Sequence, residues 1–360
     1  MNLTGKLDIN VVIEDQQIKK TEIKLSRPDV AQKMLVGQSV ENTLKRIEQM
    51  FVVCKQAQKT AAMLALNPDQ NKQQEIVQQQ SNKVRLESIE QYFWRLLFDL
   101  PKEIGIEVET RSFVQLYQLI AKHLNKGSKN SLDKDNLHLI KQQAEQVFFD
   151  LCRLNCDDFL SLSAAEFQQW QQTSNAPIVG FLQALDKVSS KPVPMVILSS
   201  EPSVQQLERL LKALLTTDYF CQSPTIDRQV AETGAIGNRQ RHSSLNSFIN
   251  KSLAGRLMAK LICLAQLISE LTTKVKTVDC GAFNQDEYQL SWVNTARGLL
   301  LHLANIQEKK VHQYYICAPT EWNFHPQGIL THILNDCAVN SPEDAIKKAK
   351  LAALILDPCI

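Results

Sequence analysis

The stretch Leu356-Asp357-Pro358-Cys359-Ile360, which closes the apolar run from Ala345 to Leu356, organises the reading of the whole chain. Pro358 fixes its own φ and drives Asp357 out of the helical region. The helix implied by the run therefore stops before Cys359, and the thiol stands at a defined exit. Two upstream stretches belong with it: Ala296-Arg297-Gly298, and Cys317-Ala318-Pro319-Thr320-Glu321-Trp322-Asn323-Phe324-His325-Pro326. The second offers the Thr320 hydroxyl and backbone N–H groups in a turn. Such parts could hold a small anionic or metal-bound group, provided the chain supplies a second soft ligand.

The bounds are those of an ordinary globular protein. Of 360 residues, 44% are hydrophobic and 22% charged, and the chain reads as one domain over residues 1–360 with no internal repeat and no dividing linker. A formal net charge of +2 points to no nucleic-acid partner and no membrane surface. Eleven glycines are few for this length, which argues against a dinucleotide-binding fold and for a helix-rich one. Nine scattered cysteines without a signal peptide indicate a reducing, cytoplasmic setting with free thiols or thiolate ligands. Apolar runs such as Leu257 to Ile268 are too short to cross a bilayer.

Hydrophobic periodicity supplies the elements. Alternation at Leu7, Ile9, Val11 and Ile13, then Ile18, Thr21, Ile23 and Leu25, around Glu14-Asp15-Gln16-Gln17, predicts a hairpin. Ser39-Val40-Glu41-Asn42 opens a helix expected to run to Leu66 with Cys54 on its inward face. The glutamine-rich stretch Asn67 to Lys83 reads as a solvated loop or the exposed start of the next helix. Leu86 to Leu100 reads as an amphipathic helix closed by Pro101. Helices are also expected over Phe113 to Leu124, Leu137 to Leu154, Val204 to Leu215 and, as the longest, Asn246 to Lys274. Ser163-Ala164-Ala165-Glu166 is a capping box, and Pro192 to Leu198 is extended. Ala231 to His242 is a non-periodic loop. From Tyr288 to Cys317 the pattern turns to strands.

Taken one at a time, the chemistry-bearing residues have plain readings. Cys54 is a small buried hydrophobe. Cys152 and Cys156 lie one helical turn apart without a second pair, so they pack in a core; Cys221, Cys263, Cys280, Cys317 and Cys337 read the same way. His325 is a surface histidine, and Arg297 is a solvated arginine or a salt-bridge partner. No Walker loop, GxSxG, HExxH or CxxC occurs. Only Cys359, at a docked terminus behind Asp-Pro, resists the plain reading.

Together these stretches resemble the large, catalytic subunit of nickel–iron hydrogenases, and more closely its accessory branch, the HupK-type (HoxV-like) hydrogenase expression/formation proteins. Leu3-Thr4-Gly5-Lys6-Leu7 is similar to the family's opening strand. Arg46-Ile47-Glu48-Gln49-Met50-Phe51-Val52-Val53-Cys54 stands where the large subunit has its first CxxC. Glu90-Gln91-Tyr92-Phe93-Trp94-Arg95-Leu96-Leu97-Phe98-Asp99-Leu100-Pro101 resembles a segment of the accessory branch, and Glu232-Thr233-Gly234-Ala235 a family loop. Ala296 to His302, Ala318 to Phe324 and Asp357-Pro358-Cys359 carry most of the likeness. The resemblance implies an α+β, mostly α, large-subunit-like fold with long core helices, an N-terminal β-hairpin and a small C-terminal β region.

The departures set the expected function. Catalytic large subunits hold nickel and iron with four thiolates, two from each CxxC. Here Phe51 stands at the first position and only Cys54 remains; after Cys359-Ile360 the second cysteine, a histidine and the cleavable extension are expected to be missing. Thr4 stands for a glutamate, Gln58 for a histidine, and Ala296 for a proline. Hydrogen turnover is not expected, and neither is nickel. What the resemblance leaves is a two-thiolate site, Cys54 and Cys359, suited to an iron already carrying cyanide and carbon monoxide. Arg297, Thr320 and the backbone at Pro319 would meet the cyanide nitrogens, with Asp357 orienting Arg297. The implied role is a cytoplasmic carrier of the Fe(CN)2CO fragment. Its partners would be chaperones of the HypC/HupF type, the HypC-HypD complex and the hydrogenase large subunit. A metal-free chaperone or decoy, and a degenerate hydrogenase, are the alternatives.

Overall fold

The computed structural model describes residues 5–26, 30–125, 134–189, 191–237, 252–272 and 279–359. Strands β1 (Lys6–Glu14) and β2 (Gln17–Ser26) form the expected hairpin, with Leu7 opposite Leu25 and Ile9 opposite Ile23. Asp15 and Gln16 turn it with φ of 49° and 57°, the paired positive angles that match the twist of the strands. Leu3 and Thr4 lie outside the described residues. Ile18 and Ile23 are buried and dock the hairpin on the helical core.

Ser39 caps a helix as expected, but that helix is Val40–Met50, not a single rod to Leu66. Phe51 is extended, Cys54 adopts the left-handed region (φ 55°, ψ 36°), and a second helix follows over Lys55–Ala65. The β-branched pair Val52-Val53 is poor helix material, and Val52 is 88% exposed, so no packing rescues it. The Glu87 carboxylate takes the N–H groups of Gln56 and Ala57 at 2.7 and 3.0 Å. It thereby does for the second helix what an N-cap side chain does.

Asn67 to Lys83 resolves into the exposed start of a 25-residue helix, Gln70–Trp94, capped by Asp69. Pro101 does not close the apolar stretch after it. The chain widens into a π-turn at Arg95–Asp99, where the Leu100 N–H bonds the Arg95 carbonyl, and continues over Leu100–Ile104 to Gly105 at φ 82°. Pro101 has no N–H to offer, and at the start of this segment none is needed. Arg111–Asn125, Lys134–Cys152, Pro177–Val188 and Val204–Thr216 are helical, and the capping box at Ser163 and Glu166 is formed in both directions. Strand β3 (Val196–Ile197) pairs in parallel with β4 (Ala231–Glu232). The helix expected from Asn246 is described over Leu253–Ser269, 17 residues, so it is shorter than Gln70–Trp94; residues 246–251 and 273–274 lie outside the described set.

Four antiparallel strands close the β region in the order β5 (Cys280–Gln285), β6 (Tyr288–Thr295), β7 (Gly298–Gln307), β8 (Lys310–Cys317). β5 extends the region beyond the expected start at Tyr288. Both faces are covered, which explains why β7 is buried almost throughout rather than alternating. Leu299, Leu301 and Leu303 face Leu207, Leu210, Leu211 and Leu214; Leu300 and Val293 face Ala57, Ala61 and Leu64. The last helix, Pro342–Leu356, is capped by Ser341 and ends where Asp357 turns left-handed at φ 58°. Pro358 thus has the effect read from sequence, and the chain is delivered to the second thiol.

Candidate functional site

The hairpin turn between β6 and β7 presents Arg297. Thr295 Oγ1 accepts the N–H groups of Arg297 and Gly298 at 3.1 and 3.2 Å, while Asn323 Nδ2 donates to the Arg297 carbonyl at 3.3 Å. Gly298 sits at φ +132°, where a Cβ would lie 2.6 Å from the Thr233 side chain and 2.8 Å from the Gly234 nitrogen. The Glu232-Thr233-Gly234 loop is therefore packed directly on the turn, and only glycine fits there.

The guanidinium so placed is buried and ion-paired with Asp357, so of the two plain readings the salt-bridge partner holds and the solvated arginine does not. Its Nη1 donates to Cys54 Sγ at 2.9 Å and to Gln91 Oε1 at 2.6 Å. Cys359 Sγ lies 3.9 Å from Cys54 Sγ, and the Cys359 N–H donates to Thr320 Oγ1 at 2.9 Å. That bond leaves the Thr320 hydroxyl proton available for donation, with Pro319 buried as the first residue of the short helix Pro319–Asn323. Asp357 Oδ1 is 3.2 Å from Arg297 Nε, accepts from Arg95 Nη2, and its Oδ2 lies 3.7 Å from Lys260 Nζ. All six residues singled out from sequence, Cys54, Cys359, Arg297, Thr320, Pro319 and Asp357, thus lie in one linked cluster. With thiolate bonds of about 2.3 Å, the length zinc favours, sulfurs 3.9 Å apart subtend roughly 116° at a single metal ion.

Burial and charge set the protonation. The Cys54 thiol is pushed well above the ordinary cysteine range by its hydrogen bond to Cys359 and by burial, with Arg297 opposing. Burial raises the Glu87 carboxyl to about 8, with the Cys54 sulfur adding to it, and burial raises Glu90 to about 7. Burial also works to raise Asp357, but Arg297, Lys260 and Arg95 outweigh it and hold the carboxyl below its usual value. Lys260 is lowered to about 8, first by burial and then by Arg95 and Arg297, against the pull of Asp357. For Arg297, burial is overcome by the charges of Asp357 and the two sulfurs, and the guanidinium is held more firmly protonated than usual.

Four members of the cluster were not singled out from sequence: Glu87, Gln91, Arg95 and Lys260. The first three are spaced i, i+4, i+8 along one continuous helical segment, so they share a face. Three polar residues at that spacing within an otherwise apolar amphipathic helix were the available signal. Arg256 and Lys260, also four apart, interrupt a helix that is buried from Leu253 to Ile268.

Phe51, at the position of a missing cysteine, packs with Leu35, Ile47 and Tyr314. Gln58 accepts from His302 Nε2 at 2.8 Å, and His302 Nδ1 meets Tyr314 at 2.8 Å. His325 is not on the surface: 6% exposed, it contacts Ser223 Oγ through Nε2 at 2.7 Å while Nδ1 accepts the Gln327 N–H at 3.1 Å. The Nδ1 bond puts the proton on Nε2, so this histidine donates to Ser223 and cannot act as its base. Among the described residues no group of three or more His, Cys, Asp or Glu is arranged to hold a metal ion.

Known proteins with related sequences span the chain. It is 28% identical to the hydrogenase expression/formation protein HupV of Azotobacter chroococcum mcd 1, over 99% of this chain and 97% of that one. With HoxV of Cupriavidus necator the identity is 24% over 93% and 90% of the two chains, and with HupK of Azotobacter vinelandii 24% over 99% and 97%. The family profile described as nickel-dependent hydrogenase matches residues 212–360. Along nearly its whole length this chain is similar to the HupK, HoxV and HupV hydrogenase expression/formation proteins. Its fold is that of the hydrogenase large subunit. The Ni-Fe-Se hydrogenase from D. vulgaris Hildenborough aligns with a TM-score of 0.63 at 12% identity, covering 99% of this chain and 98% of that one. An NAD+-reducing [NiFe]-hydrogenase aligns at 0.65 and 11%, covering 99% and 95%. The matched residues 212–360 contain Arg297, Thr320, Asp357 and Cys359, whereas Cys54, Glu87 and Gln91 come from the other part of the chain. Among the described residues, no helix is long and apolar enough to cross a membrane.

Proposed function

We infer that this protein is a hydrogenase maturation accessory factor that carries an Fe(CN)2CO fragment on Cys54 and Cys359 and passes it to a hydrogenase large subunit. The observation that carries this reading is the pair of sulfurs 3.9 Å apart beneath a buried arginine that already donates to one of them. The names of the homologues place them in hydrogenase expression and formation, which supports the coarser role.

The chemistry balances without a redox step. Two S–H bonds break, two iron–sulfur bonds form, and two protons leave to water as the fragment exchanges its donor's ligands for these thiolates. Cyanide nitrogens are strong acceptors; Arg297 and the Thr320 hydroxyl supply donors in a water-poor setting, where charge-assisted hydrogen bonds gain strength. Gln91 and Asp357 hold the guanidinium in place. Two thiolates bind iron less firmly than a complete four-thiolate site, so transfer to the large subunit runs downhill. Phe51 stands where the resemblance expects a nickel-binding cysteine, so no nickel is carried and no hydrogen is turned over. Loading and unloading take place in the cytoplasm through chaperones of the HypC/HupF type and the HypC-HypD complex.

Infrared spectroscopy tests this directly. Protein purified anaerobically after co-expression with the maturation machinery should show cyanide and carbonyl stretches that vanish in the Cys54→Ala, Cys359→Ala variant. Their absence from the wild type, or persistence in the variant, refutes the carrier. Should the double variant still support maturation and form its complexes, a metal-free binding role is the correct reading.

A further inference from the structure

Three cations converge on one buried carboxylate beside the thiols. Asp357, 1% exposed, accepts a hydrogen bond from Arg95 at Oδ1, and Arg95 is also paired with Asp99 at 2.7 Å. Arg297 Nε lies 3.2 Å from the same Oδ1 but forms no hydrogen bond there. Asp357 Oδ2 has no hydrogen bond among the described residues; Lys260 Nζ faces it at 3.7 Å and stands 5.5 Å above the Tyr92 ring.

A lysine at this place is costly. Position 260 lies on a helix that is buried on all sides, where a Leu or Met would pack at no electrostatic cost, whereas a buried ammonium loses several kcal/mol of hydration. It lines a cavity of about 20 Å³ together with Arg297, Arg256, Thr233, Gly234 and Asn323. Arg256 adds no net charge there, because Glu232 holds it with two hydrogen bonds of 2.8 and 2.7 Å. Around Asp357, then, three positive charges (Arg95, Lys260, Arg297) meet two negative ones (Asp99, Asp357). Asp357 is shared among Arg95, Arg297 and Lys260, so the cluster keeps one positive charge in excess, and the Arg297 Nη1 that points at Cys54 presents it to the thiols.

We propose that Lys260 is a specificity-determining residue: as the third cation around Asp357 it leaves the cluster beside the thiol pair with a net positive charge, which then favours an anionic metal complex over a bare divalent cation. The proposal rests on the carrier reading. A bare divalent ion on two thiolates leaves the pair neutral, whereas iron(II) with two cyanides and a carbonyl on the same thiolates leaves two negative charges. Only the latter matches a positive surplus.

The test compares wild type, Lys260→Met and Lys260→Arg, each purified after anaerobic co-expression with the maturation proteins. Cyanide and carbonyl stretches, retained iron, thermal midpoint and the binding of Zn²⁺ to unloaded protein are measured. Lys260→Met should retain the iron complex about tenfold less well, the effect of one elementary charge across a partly buried site. Its remaining carbonyl stretch should move to lower frequency, because a weaker positive field leaves more electron density for back-donation. Zn²⁺ binding should be unchanged or tighter. Lys260→Arg, which keeps the charge, should recover the wild-type bands. Unchanged bands in Lys260→Met overturn the proposal, as does a Lys260→Arg variant with a wild-type midpoint that still loses the complex. Equal loss of Zn²⁺ and of the iron complex assigns Lys260 a merely structural role and overturns it too. Absence of bands from the wild type refutes the carrier reading itself, and this one with it.

Discussion

Replacing Asp357 with Asn isolates one charge, because Asn tolerates the left-handed backbone at this position (φ 58°) as readily as Asp does. The amide can still accept from Arg95, and the helix cap, Asp357 N–H to the Ala353 carbonyl at 2.8 Å, is untouched. What is lost is attraction to Arg297 at 3.2 Å and to Lys260 at 3.7 Å. At an effective dielectric constant of about 20 these are worth ~5 and ~4.5 kcal/mol before desolvation. Neutralising one partner of a buried pair typically costs ~3–5 kcal/mol net, and the retained Arg95 contact places this variant near ~3 kcal/mol. A chain of this size shifts by roughly 2 °C per kcal/mol, so the thermal midpoint at pH 7 should fall by about 6 °C. The pH dependence adds a second check. The folded carboxyl titrates below its unfolded value, so the wild-type advantage is full above about pH 4 and declines as pH falls through the lower folded value. Melts followed by circular dichroism should show a gap at pH 7 that narrows towards pH 3. A variant melting with the wild type at pH 7 would falsify the assignment of Asp357 as the anchor of the cluster.

Other perturbations follow from the same geometry. Gly298→Ala places a Cβ within 2.6–2.8 Å of Thr233 and Gly234 at a positive φ, so it should cost about 2–3 kcal/mol in a urea titration and expose Arg297 to arginine-directed reagents. Glu87 has its folded value raised from 4.5 to about 8, so its contribution to stability is fully present near pH 4 and lost as pH rises towards 8. Glu87→Gln should therefore melt closer to, or above, the wild type at pH 8 than at pH 5; an equal offset at both refutes the buried protonated carboxyl. Thr320→Val leaves the Cys359 N–H without its acceptor at a cost of about 1–3 kcal/mol, and iodoacetamide should alkylate Cys359 faster than in the wild type. Leu300→Ala empties the sheet face under the Lys55–Ala65 helix, and a loss of about 2–5 kcal/mol in urea is expected.

What could be read from the sequence was governed by local physics. The hairpin, the capping box, the Ser39 cap and the stop before Pro358 each depend on a few adjacent residues, and each is found where periodicity and capping chemistry put it. The break at Cys54 could not be read that way. Its cause is partly remote, since the carboxylate that caps the following helix comes from Glu87, and a helical apolar pattern runs on through Val52-Val53 regardless. Pro101 misled for a related reason: a π-turn upstream changed which N–H groups the helix needed. Buried His325 and the bare alternation of β5 likewise depended on packing partners distant in sequence. Within the site, Cys359 and Thr320 stood out from their local sequence, whereas Cys54 and Arg297 were found through family resemblance. Gln91, Arg95 and Lys260 carry no motif, only polarity on faces that should have been apolar, and that is a signal visible in composition once helix faces are drawn.

The two sulfurs are separated by 305 positions in the chain, and neither sits within a regular element: Cys54 lies in a helix break, and Cys359 follows the last helical turn. A load bound by both would close a covalent loop around nearly the whole polypeptide, latched at two short stretches that belong to no helix or strand. The residues after Leu356 are tied down through Asp357, ion-paired with Arg95, Arg297 and Lys260, and through the Cys359 N–H on Thr320 Oγ1, and freeing them would part the donors. Unlatching at that tail lets cargo depart while the helical core and the four-stranded sheet stay folded, so a receiving protein need only compete for one strap.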